Sequence, residues 1–368
     1  MPASRGSLSA SSVHGGSSGL SSLSPSPMQR SVTMNDGTSC VAASAGLPSS
    51  HAGWQDDGPE RKCFEGRWRV HITYRPATAE DLEPATRIVQ DAYNHLRLRH
   101  GLAPSISRGP PLFQTFSLAE PSSSLWVAEA EGALQGFAFA WMRQRFWFLA
   151  QLFVRPGTQA KGIGHALLTK TLRHAEENGA ENRALITMAY NTASTGLYIQ
   201  NGLYPREPLL RLVAPAPVVA ARILLPGLET MPIKPWPGSR DWLNRIDEKV
   251  LGFRREGQHA FQLGIAARAL RLEQAGQPVG YAYVSAIGHI GPLAILPRTD
   301  PGKALRAVLR GALEVKSPQL SMMVPGRAER LQEAALGLGF RIDEPFVLLS
   351  ARPFGDWSHY LPSNAGFM

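Results

Sequence analysis

A glycine-containing segment carries the clearest chemistry in this sequence. It reads Gln159-Ala160-Lys161-Gly162-Ile163-Gly164-His165 and lies between an apolar run and an amphipathic stretch. Its glycines permit backbone angles closed to other residues and let a ligand approach the main chain. Successive amide groups at the start of a helix form an anion-binding concavity, which the helix dipole strengthens. The segment therefore predicts a binding site for a pyrophosphate.

Two familiar phosphate-binding motifs do not describe this segment. It lacks the Gly-Lys-Ser/Thr ending of a P-loop, so it offers no hydroxyl to magnesium. It also lacks the GxGxxG pattern that follows the first strand of a dinucleotide-binding domain. The pattern that remains is a strand, then Gln-x-x-Gly-x-Gly, then a helix, with Val154-Arg155-Pro156 before the loop. Because tight strand–helix turns also use glycine for structural reasons, the surrounding elements have to support the assignment.

The elements around the loop alternate between strands and helices. Alternating apolar residues predict the strands, and the Thr78 hydroxyl followed by acidic residues predicts a helix start. The helix after the loop has one broad apolar face, formed by Ile163, Leu167, Leu168, Leu172 and Ala175. In chain order, we predict a strand at 70–74, a helix from 78 to 96, strands at 125–130, 135–142 and 146–154, a helix at 162–177, a strand at 184–189, a helix at 193–200 and a strand at 209–213.

The later part of the chain repeats motifs of the earlier part. Gly136-Phe137-Ala138-Phe139-Ala140 is echoed by Gly280-Tyr281-Ala282-Tyr283-Val284. Gly202-Leu203, followed by Glu207-Pro208, is echoed by Gly339-Phe340, followed by Glu344-Pro345. The echoes predict two domains of one fold, at residues 67–214 and 238–368, joined by a Pro-rich connection at residues 215–237. We expect residues 67–214 to bind their ligand without the second domain.

Composition narrows the classes of protein to consider. Hydrophobic residues make up 43% and charged residues 18% of the chain, as in soluble globular proteins. No stretch approaches the ~20 apolar residues of a membrane-spanning helix, so we expect no membrane partner. The net charge is +9, but the arginines are spread along the chain, which argues against a nucleic-acid partner. The only cysteines, Cys40 and Cys63, precede the predicted folded region. We therefore predict no disulfide, no metal and a cytoplasmic location.

The first 66 residues form a Ser/Gly-rich tail that lacks aliphatic clusters. Such a segment cannot offset the entropy of ordering, so we predict that residues 1–66 are disordered. A Ser-rich, acid-poor start is also compatible with an organellar transit peptide, although Arg5 and Arg30 alone give that alternative little support.

Residues Thr73–Val213 resemble the GNAT superfamily of N-acetyltransferases. The loop with Val154-Arg155-Pro156 resembles motif A of that family, and Tyr74-Arg75-Pro76-Ala77 and Asn191…Ser194…Leu197-Tyr198…Gly202-Leu203 also match. The resemblance implies an α+β fold with two tandem GNAT-like domains, each a splayed mixed β-sheet flanked by helices. Through Asp247…Gly252-Phe253-Arg254 and Asp356-Trp357, the second unit resembles the degenerate carboxy-terminal domain of YitH-like tandem acetyltransferases.

The resemblance also implies binding roles for individual residues, with acetyl-CoA as the co-substrate. Backbone groups of Leu152, Phe153 and Val154 would pair with the pantetheine arm, where the central strands splay apart at a bulge. An amide near Val154 would stabilise the oxyanion that develops on the thioester. The amides of Gln159–His165 would hold the pyrophosphate, and Asn191 would support the cofactor arm.

The proton transfers are less completely assigned. Tyr198 matches the general acid that protonates the departing thiolate, and the alternative is that Tyr198 only packs its helix against the sheet. Many relatives place a glutamate on the strand before the loop, but Phe146–Phe153 contains no carboxylate. Asp91, His95 and Glu129 are alternative bases, and deprotonation of the amine through water is another.

The second unit departs from the phosphate-loop pattern. It reads Arg298-Thr299-Asp300-Pro301-Gly302-Lys303-Ala304, and Pro301 removes one amide donor. We therefore predict no cofactor site there and expect this unit to cover the acceptor site or to mediate pairing of subunits, so a homodimer is left open.

The predicted function is transfer of acetyl from acetyl-CoA to a primary amine of a small molecule or a protein, by direct attack in a ternary complex. The alternative hypothesis is a non-catalytic sensor or scaffold that binds CoA or acyl-CoA. The missing strand glutamate favours the alternative, whereas Tyr198 favours catalysis.

Overall fold

The chain builds the same succession of strands and helices twice. The computed structural model describes residues 71–105, 109–224, 229–232 and 240–368, so the predicted disorder of residues 1–66 concerns a segment outside the described part. The first repeat contains, in chain order, β1 (Thr73–Pro76), α1 (Leu82–Arg99), α2 (Leu112–Leu118), β2 (Ser123–Ala130), β3 (Ala133–Arg143), β4 (Phe146–Val154), α3 (Ile163–Glu177), β5 (Asn182–Met188), α4 (Thr192–Gln200) and β6 (Tyr204–Pro215).

The second repeat has the same order of elements and follows a short helix, α5 (Ala216–Arg222). Its first strand lies within residues 215–237, the segment predicted as a connection. Its elements are β7 (Glu229–Pro232), α6 (Asp241–Val250), α7 (Glu256–Ile265), β8 (Arg268–Gln274), β9 (Gln277–Val284), β10 (His289–Ile295), α8 (Pro301–Leu313), β11 (Gln319–Pro325), α9 (Glu329–Gly337) and β12 (Arg341–Ser350). A short strand, β13 (Tyr360–Leu361), comes last.

The last strand of each repeat pairs with strands of the other repeat. The described strands form one mixed sheet in the order β1-β2-β3-β4-β5-β12-β6-β11-β10-β9-β8-β7, with β13 paired to β10. Both neighbours of β6 come from the second repeat, and both neighbours of β12 come from the first. The register is symmetric, because Glu207 lies opposite Leu348 and Glu344 lies opposite Arg211. The repeats are therefore joined in one compact unit, which runs from Arg67 to Met368.

The exchange of strands changes one expectation drawn from the sequence. Residues 67–214 by themselves would contain β6 without either of its partners and would leave β5 with a free edge. We therefore no longer expect this segment to fold and bind a ligand alone. The domain boundaries at residues 214 and 238 stay a prediction.

The start of α3 is fixed by close packing on the sheet. A Cβ atom at Gly136 of β3 would lie 2.9 Å from Leu167 Cδ1 and 3.1 Å from Ile163 Cγ2, so a larger residue here would force these side chains to move. Burial of each leucine on the face contributes roughly 1.5–3 kcal/mol. The whole predicted face is buried, namely Ile163, Leu167, Leu168, Leu172 and Ala175.

The predicted helix start at Thr78 is confirmed. The Thr78 amide and hydroxyl both donate to Asp81 Oδ2, at 2.8 and 3.0 Å, and a single 3₁₀ turn, Ala79–Asp81, leads into α1. The strand Phe146–Val154 has its predicted bounds, whereas α2 was not predicted. The fold class is confirmed as a mixed α/β arrangement with a large mixed sheet and flanking helices. None of the helices in the described ranges is both long and apolar enough to cross a membrane.

The strands β4 and β5 diverge halfway along their length. They pair in parallel only at Phe146–Leu149 and Asn182–Leu185. The register of β4 against β3 shifts between Phe139 and Ala140, where β4 carries one extra residue, Ala150. Such a bulge bends the strand. From Ala150 onward, the edge of β4 that faced β5 has no partner strand among the described residues, which leaves a wedge-shaped gap.

Candidate active site

The gap between β4 and β5 opens into a cavity of about 330 Å³. Its walls are α1, the end of β4, the glycine-containing loop and the start of α4. Lys161 is exposed and does not line the cavity, and Tyr198 lies behind its wall. The other residues predicted for the site all line it: Leu152, Phe153, Val154, Gln159, Ala160, Gly162, Ile163, Gly164, His165 and Asn191.

The backbone of β4 presents hydrogen-bonding groups to this cavity. The Arg155 amide donates to the Gln135 carbonyl at 2.8 Å, on the β3 side of the strand. Because successive amides of a strand point to opposite sides, the amides of Val154 and Leu152 point into the gap. An extended ligand with its own carbonyl and amide groups can pair with this edge as an added strand.

The second repeat fills its corresponding gap with a peptide strand. There, β10 pairs with β11 only at His289 and Ile290, and β13 pairs antiparallel with β10 beyond that point. The Ile295 amide donates to the His359 carbonyl at 3.0 Å. Ile295 ends β10 as Val154 ends β4. The molecule thus contains, in its second repeat, a carbonyl bound at the position that is open in the first.

The loop after β4 presents free amides at the start of α3. The first intrahelical hydrogen bond runs from the Ala166 amide to the Gly162 carbonyl at 3.0 Å, so the amides of Ile163, Gly164 and His165 have no acceptor within the helix. Gly162 has φ of +82°, a left-handed conformation that favours glycine. This geometry can hold a phosphate oxygen through main-chain donors alone.

The loop is also tied back to the strand before it. Gln159 Nε2 donates to the Val154 carbonyl at 3.2 Å, which links the first residue of the motif to the last residue of β4. This hydrogen bond connects the loop that could bind an anion with the end of the strand that could bind a carbonyl group.

The corresponding loop of the second repeat is closed to an anion. Asp300 caps α8, and its Oδ1 accepts a hydrogen bond from the Lys303 amide at 2.8 Å. Pro301 occupies the first turn and has no amide hydrogen. A carboxylate at this point repels a phosphate. The start of α8 therefore disfavours the kind of anion that the start of α3 can bind.

One arginine and three histidines line the cavity. His95 and Arg99 lie on α1, His100 follows the end of α1, and His165 lies at the start of α3. No Asp or Glu is among the described residues that line the cavity. With Arg99 as a cation and no carboxylate, the cavity suits an anionic ligand. His95 and Arg99 are four residues apart and therefore share a face of α1. Of the cavity-lining basic residues at this end of α1, the sequence indicated only His95, because nothing in α1 showed which face would turn toward the loop.

Tyr198 lies in the core beside the cavity. Its side chain is 5% exposed and packs with Trp147, Leu149 and Leu168. Its hydroxyl hydrogen-bonds the Ser194 side chain, and Ser194 lines the cavity. Burial raises the pKa of Tyr198 above its ordinary value despite the Ser194 hydrogen bond, which acts in the opposite direction. The phenol therefore stays protonated at neutral pH.

Asn191 acts as the N-cap of α4. Its Oδ1 accepts a long hydrogen bond from the Ser194 amide at 3.4 Å. A side chain used in this way fixes the start of α4, and it orients Ser194 at the cavity wall.

The base candidates taken from the sequence lie in different surroundings. Asp91 is exposed and does not line the cavity. Glu129 forms an ion pair with Arg75 at 2.7 Å on the β1–β2 pair. Only His95 lines the cavity.

Comparisons with known proteins identify relatives of this chain. The sequence profile of the acetyltransferase (GNAT) family matches residues 88–203. The uncharacterized N-acetyltransferase YhfO of Bacillus subtilis is 32% identical over 101 residues, which are 26% of this chain and 68% of that protein. Mycothiol acetyltransferase of Streptomyces coelicolor is 34% identical over 94 residues, but the match covers only 30% of its length.

Solved structures share the fold across most of the described chain. A putative acetyltransferase from Pyrococcus horikoshii has a TM-score of 0.65 at 17% identity and covers 83% of this chain and 100% of its own. A tandem GNAT protein from the clavulanic acid biosynthesis pathway has a TM-score of 0.54 at 15% identity, and the match covers 77% of this chain and 99% of that protein.

The glycine loop, the splayed strands and these relatives define an acyl-group transferase. The chain belongs to the GNAT acetyltransferase family, and it is an acyltransferase.

Proposed function

We propose that the chain transfers acetyl from acetyl-CoA to a primary amine, by direct attack in a ternary complex. The observation that carries the proposal is the contrast between the repeats. The first leaves the β4 edge and the α3 amides open to a cavity, whereas the second covers both with its own peptide and carboxylate groups. One acetyl-CoA site per chain follows.

Acetyl-CoA fits the open site by its charge and its shape. The pyrophosphate would accept hydrogen bonds from the amides of 163–165, and basic side chains such as Arg99 would balance its charge. The pantetheine arm carries two amide groups, which would pair with the edge of β4 as the β13 segment pairs with β10. The thioester would then lie near the end of that edge, beside the Val154 amide.

The reaction needs a stabilised oxyanion and a proton for the departing thiolate. The Val154 amide would stabilise the oxyanion. Tyr198 would protonate the thiolate through Ser194, because its own hydroxyl is behind the wall and Ser194 is on it. A phenol has a higher pKa than a thiol, so this transfer has to be concerted with cleavage of the C–S bond.

The acceptor is an amine that attacks in its neutral form. Small-molecule amines and protein amines both remain acceptors under this proposal, since the fold does not decide between them. The second repeat places β12 next to β5, and under this proposal it would close one side of the acceptor region.

The test is a screen of primary amines and peptides with the full chain and acetyl-CoA. CoA thiol release and the mass of the acetylated product are measured together. We expect amine-dependent CoA release with a matching N-acetyl product. Tight acetyl-CoA binding without transfer to any amine would instead support the sensor hypothesis.

A further inference from the structure

A buried carboxylate from the second repeat reaches the wall of the first repeat's cavity. Glu344 of β12 is 1% exposed. Its Oε1 accepts a short hydrogen bond from the Tyr190 hydroxyl, and its Oε2 accepts one from the Tyr93 hydroxyl at 3.0 Å. Arg97 Nη1 forms an ion pair with Oε2 at 2.5 Å. Tyr190 lines the cavity, so one residue separates the carboxylate from it.

The equivalent carboxylate of the first repeat is used differently. Glu207 of β6 occupies the same place in the symmetric register and is 2% exposed. Its Oε1 accepts from the Arg327 amide at 2.8 Å, and its Oε2 pairs with Arg327 Nε at 3.1 Å. Glu207 therefore holds a turn of the backbone after β11. Only Glu344 is connected to a side chain that lines a cavity.

The charge states of the cluster are set by burial and by the ion pair. Burial, together with the charge of Glu344, raises the pKa of Tyr93 to about 12. Burial also raises the pKa of Tyr190, and the hydrogen bond to Glu344 raises it further. Burial acts to lower the pKa of Arg97, but the ion pair with Glu344 outweighs it, and the pKa is raised. Two phenols and one guanidinium thus surround the Glu344 carboxylate.

We infer that Glu344 is the proton acceptor of the transfer reaction and acts through the Tyr190 hydroxyl. This inference rests on the proposed function. It supplies the base that β4 lacks, and it gives the second repeat a part in the chemistry. Arg97 and Tyr93 are positioning residues, because they hold the carboxylate and do not line the cavity.

The proton transfers balance in one step. The amine nitrogen bonds to the thioester carbon, and the C–S bond breaks. The amine proton passes to Tyr190 Oη while the Tyr190 proton passes to Glu344 Oε1, which becomes a carboxylic acid. The thiolate takes a proton from Tyr198 through Ser194. Afterwards Glu344 returns its proton to solvent through Tyr190, and Tyr198 recovers one from solvent.

The test compares Glu344→Gln with its symmetric counterpart Glu207→Gln in the full chain. The readouts are turnover with acetyl-CoA and the best amine of the screen, acetyl-CoA affinity by calorimetry, and the melting temperature. We expect Glu344→Gln to lower kcat by ~10²–10⁴-fold, the usual contribution of general base catalysis, with unchanged acetyl-CoA affinity. Glu207→Gln should lower the melting temperature and leave kcat unchanged.

The pH profile separates chemistry from structure. The kcat/KM profile against pH should differ in shape between the wild type and Glu344→Gln, because only the wild type has a carboxylate behind the Tyr190 hydroxyl. The groups that face the carboxylate are Tyr93 and Arg97 from α1 and Tyr190 after β5, and the His100 ring contacts Tyr190 at 4.8 Å. A profile of the same shape in the wild type and in Glu344→Gln would overturn the inference.

A second variant covers the case in which Glu344→Gln does not fold. Tyr190→Phe keeps the Glu344–Arg97 ion pair and removes only the connecting hydroxyl, and we expect the same loss of kcat. Full turnover in a folded Tyr190→Phe or Glu344→Gln chain overturns the inference but leaves the proposed function intact. A wild-type chain that acetylates no amine overturns the proposed function itself.

Discussion

Asp300 Oδ1 accepts a hydrogen bond from the Lys303 amide at 2.8 Å, at the start of the helix that corresponds to α3. This contact satisfies one of the amides that a helix start offers to an anion, and it places a negative charge where a phosphate would lie. In the first repeat, the amide three positions after the Gly162 cap belongs to His165 and has no side-chain acceptor from that cap. The two repeats therefore differ in whether a side chain already caps the helix-start amides that would bind a phosphate of acetyl-CoA.

We predict that each chain binds one acetyl-CoA and that the Gly162→Val/Gly164→Val double variant abolishes this binding. A side chain at Gly162 is strained by its φ of +82°, and side chains at both positions crowd the amides that face the ligand. Calorimetry measures both stoichiometry and affinity. Gly302→Ala is the matched control in the second repeat and should bind normally. Two sites per chain, or normal affinity in the double variant, would contradict the assignment.

We predict that Tyr198→Phe lowers turnover by ~10²–10⁴-fold, the usual contribution of general acid catalysis, if protonation of the thiolate limits the rate. The phenyl ring keeps the packing against Trp147 and Leu168, so acetyl-CoA affinity should be nearly unchanged. Loss of the hydroxyl should cost only about 0.5–1.5 kcal/mol of stability. The measurements are single-turnover rates and thermal unfolding.

Ser194→Ala extends this test, because it removes the link between Tyr198 and the cavity. It should reproduce the loss of turnover. Full single-turnover rates in both variants would show that Tyr198 is a packing residue.

The local parts of this fold could be predicted from the sequence. The bounds of β4, the apolar face of α3 and the cap at Thr78 depend on periodicity and on side chains within a few residues of one another. Helix α2 was missed because it has seven residues and follows Pro110 and Pro111, which together resemble a loop. Short helices depend on tertiary packing more than on their own sequence.

The exchange of β6 and β12 could not be predicted in the same way. Both strands carry the same Glu-Pro echo, which indicated the repeat, but no local signal states which repeat a strand will pair with. The pairing depends on contacts more than 100 residues apart along the chain, as between Leu212 and Ile342. Glu344 was therefore recognised as part of the repeat and not as part of the site.

We predict that residues 67–214 do not fold alone and that two fragments split between the repeats fold together. The reason is that both partners of β6 and both partners of β12 come from the opposite repeat. Circular dichroism and amide dispersion of each fragment, alone and after co-expression, check this. A cooperative melting transition in isolated 67–214 would contradict the role given to the exchanged strands.

We predict that the chain loses stability as the pH falls below about 6.5, in part through His289. Burial lowers the pKa of His289 below its ordinary value of 6.5, and its ring bonds the Ser321 hydroxyl at 2.9 Å and the Ser363 carbonyl. The unfolded chain therefore binds a proton more readily than the folded chain. The stability that His289 contributes is fully present above its pKa in the unfolded chain. It is lost as the pH falls toward the lower pKa of His289 in the folded chain.

The check is urea unfolding between pH 5 and pH 8, taken as a window around the ordinary pKa of histidine. His289→Gln should be less stable than the wild type at the upper end and should show a smaller pH dependence. His174, whose pKa burial also lowers, should leave a residual slope of the same sign. An equal slope in the wild type and the variant would remove His289 from this account.

We predict that acetyl-CoA occupies the first repeat's cavity, along β4 and at the start of α3. Hydrogen–deuterium exchange of the full chain is measured with and without acetyl-CoA. We expect slower exchange at the amides of Leu152, Val154 and residues 163–165, with no change at Gly302 and Lys303 of the second repeat. Protection confined to the second repeat, or absent from the Val154 and α3 amides at saturating acetyl-CoA, would contradict it.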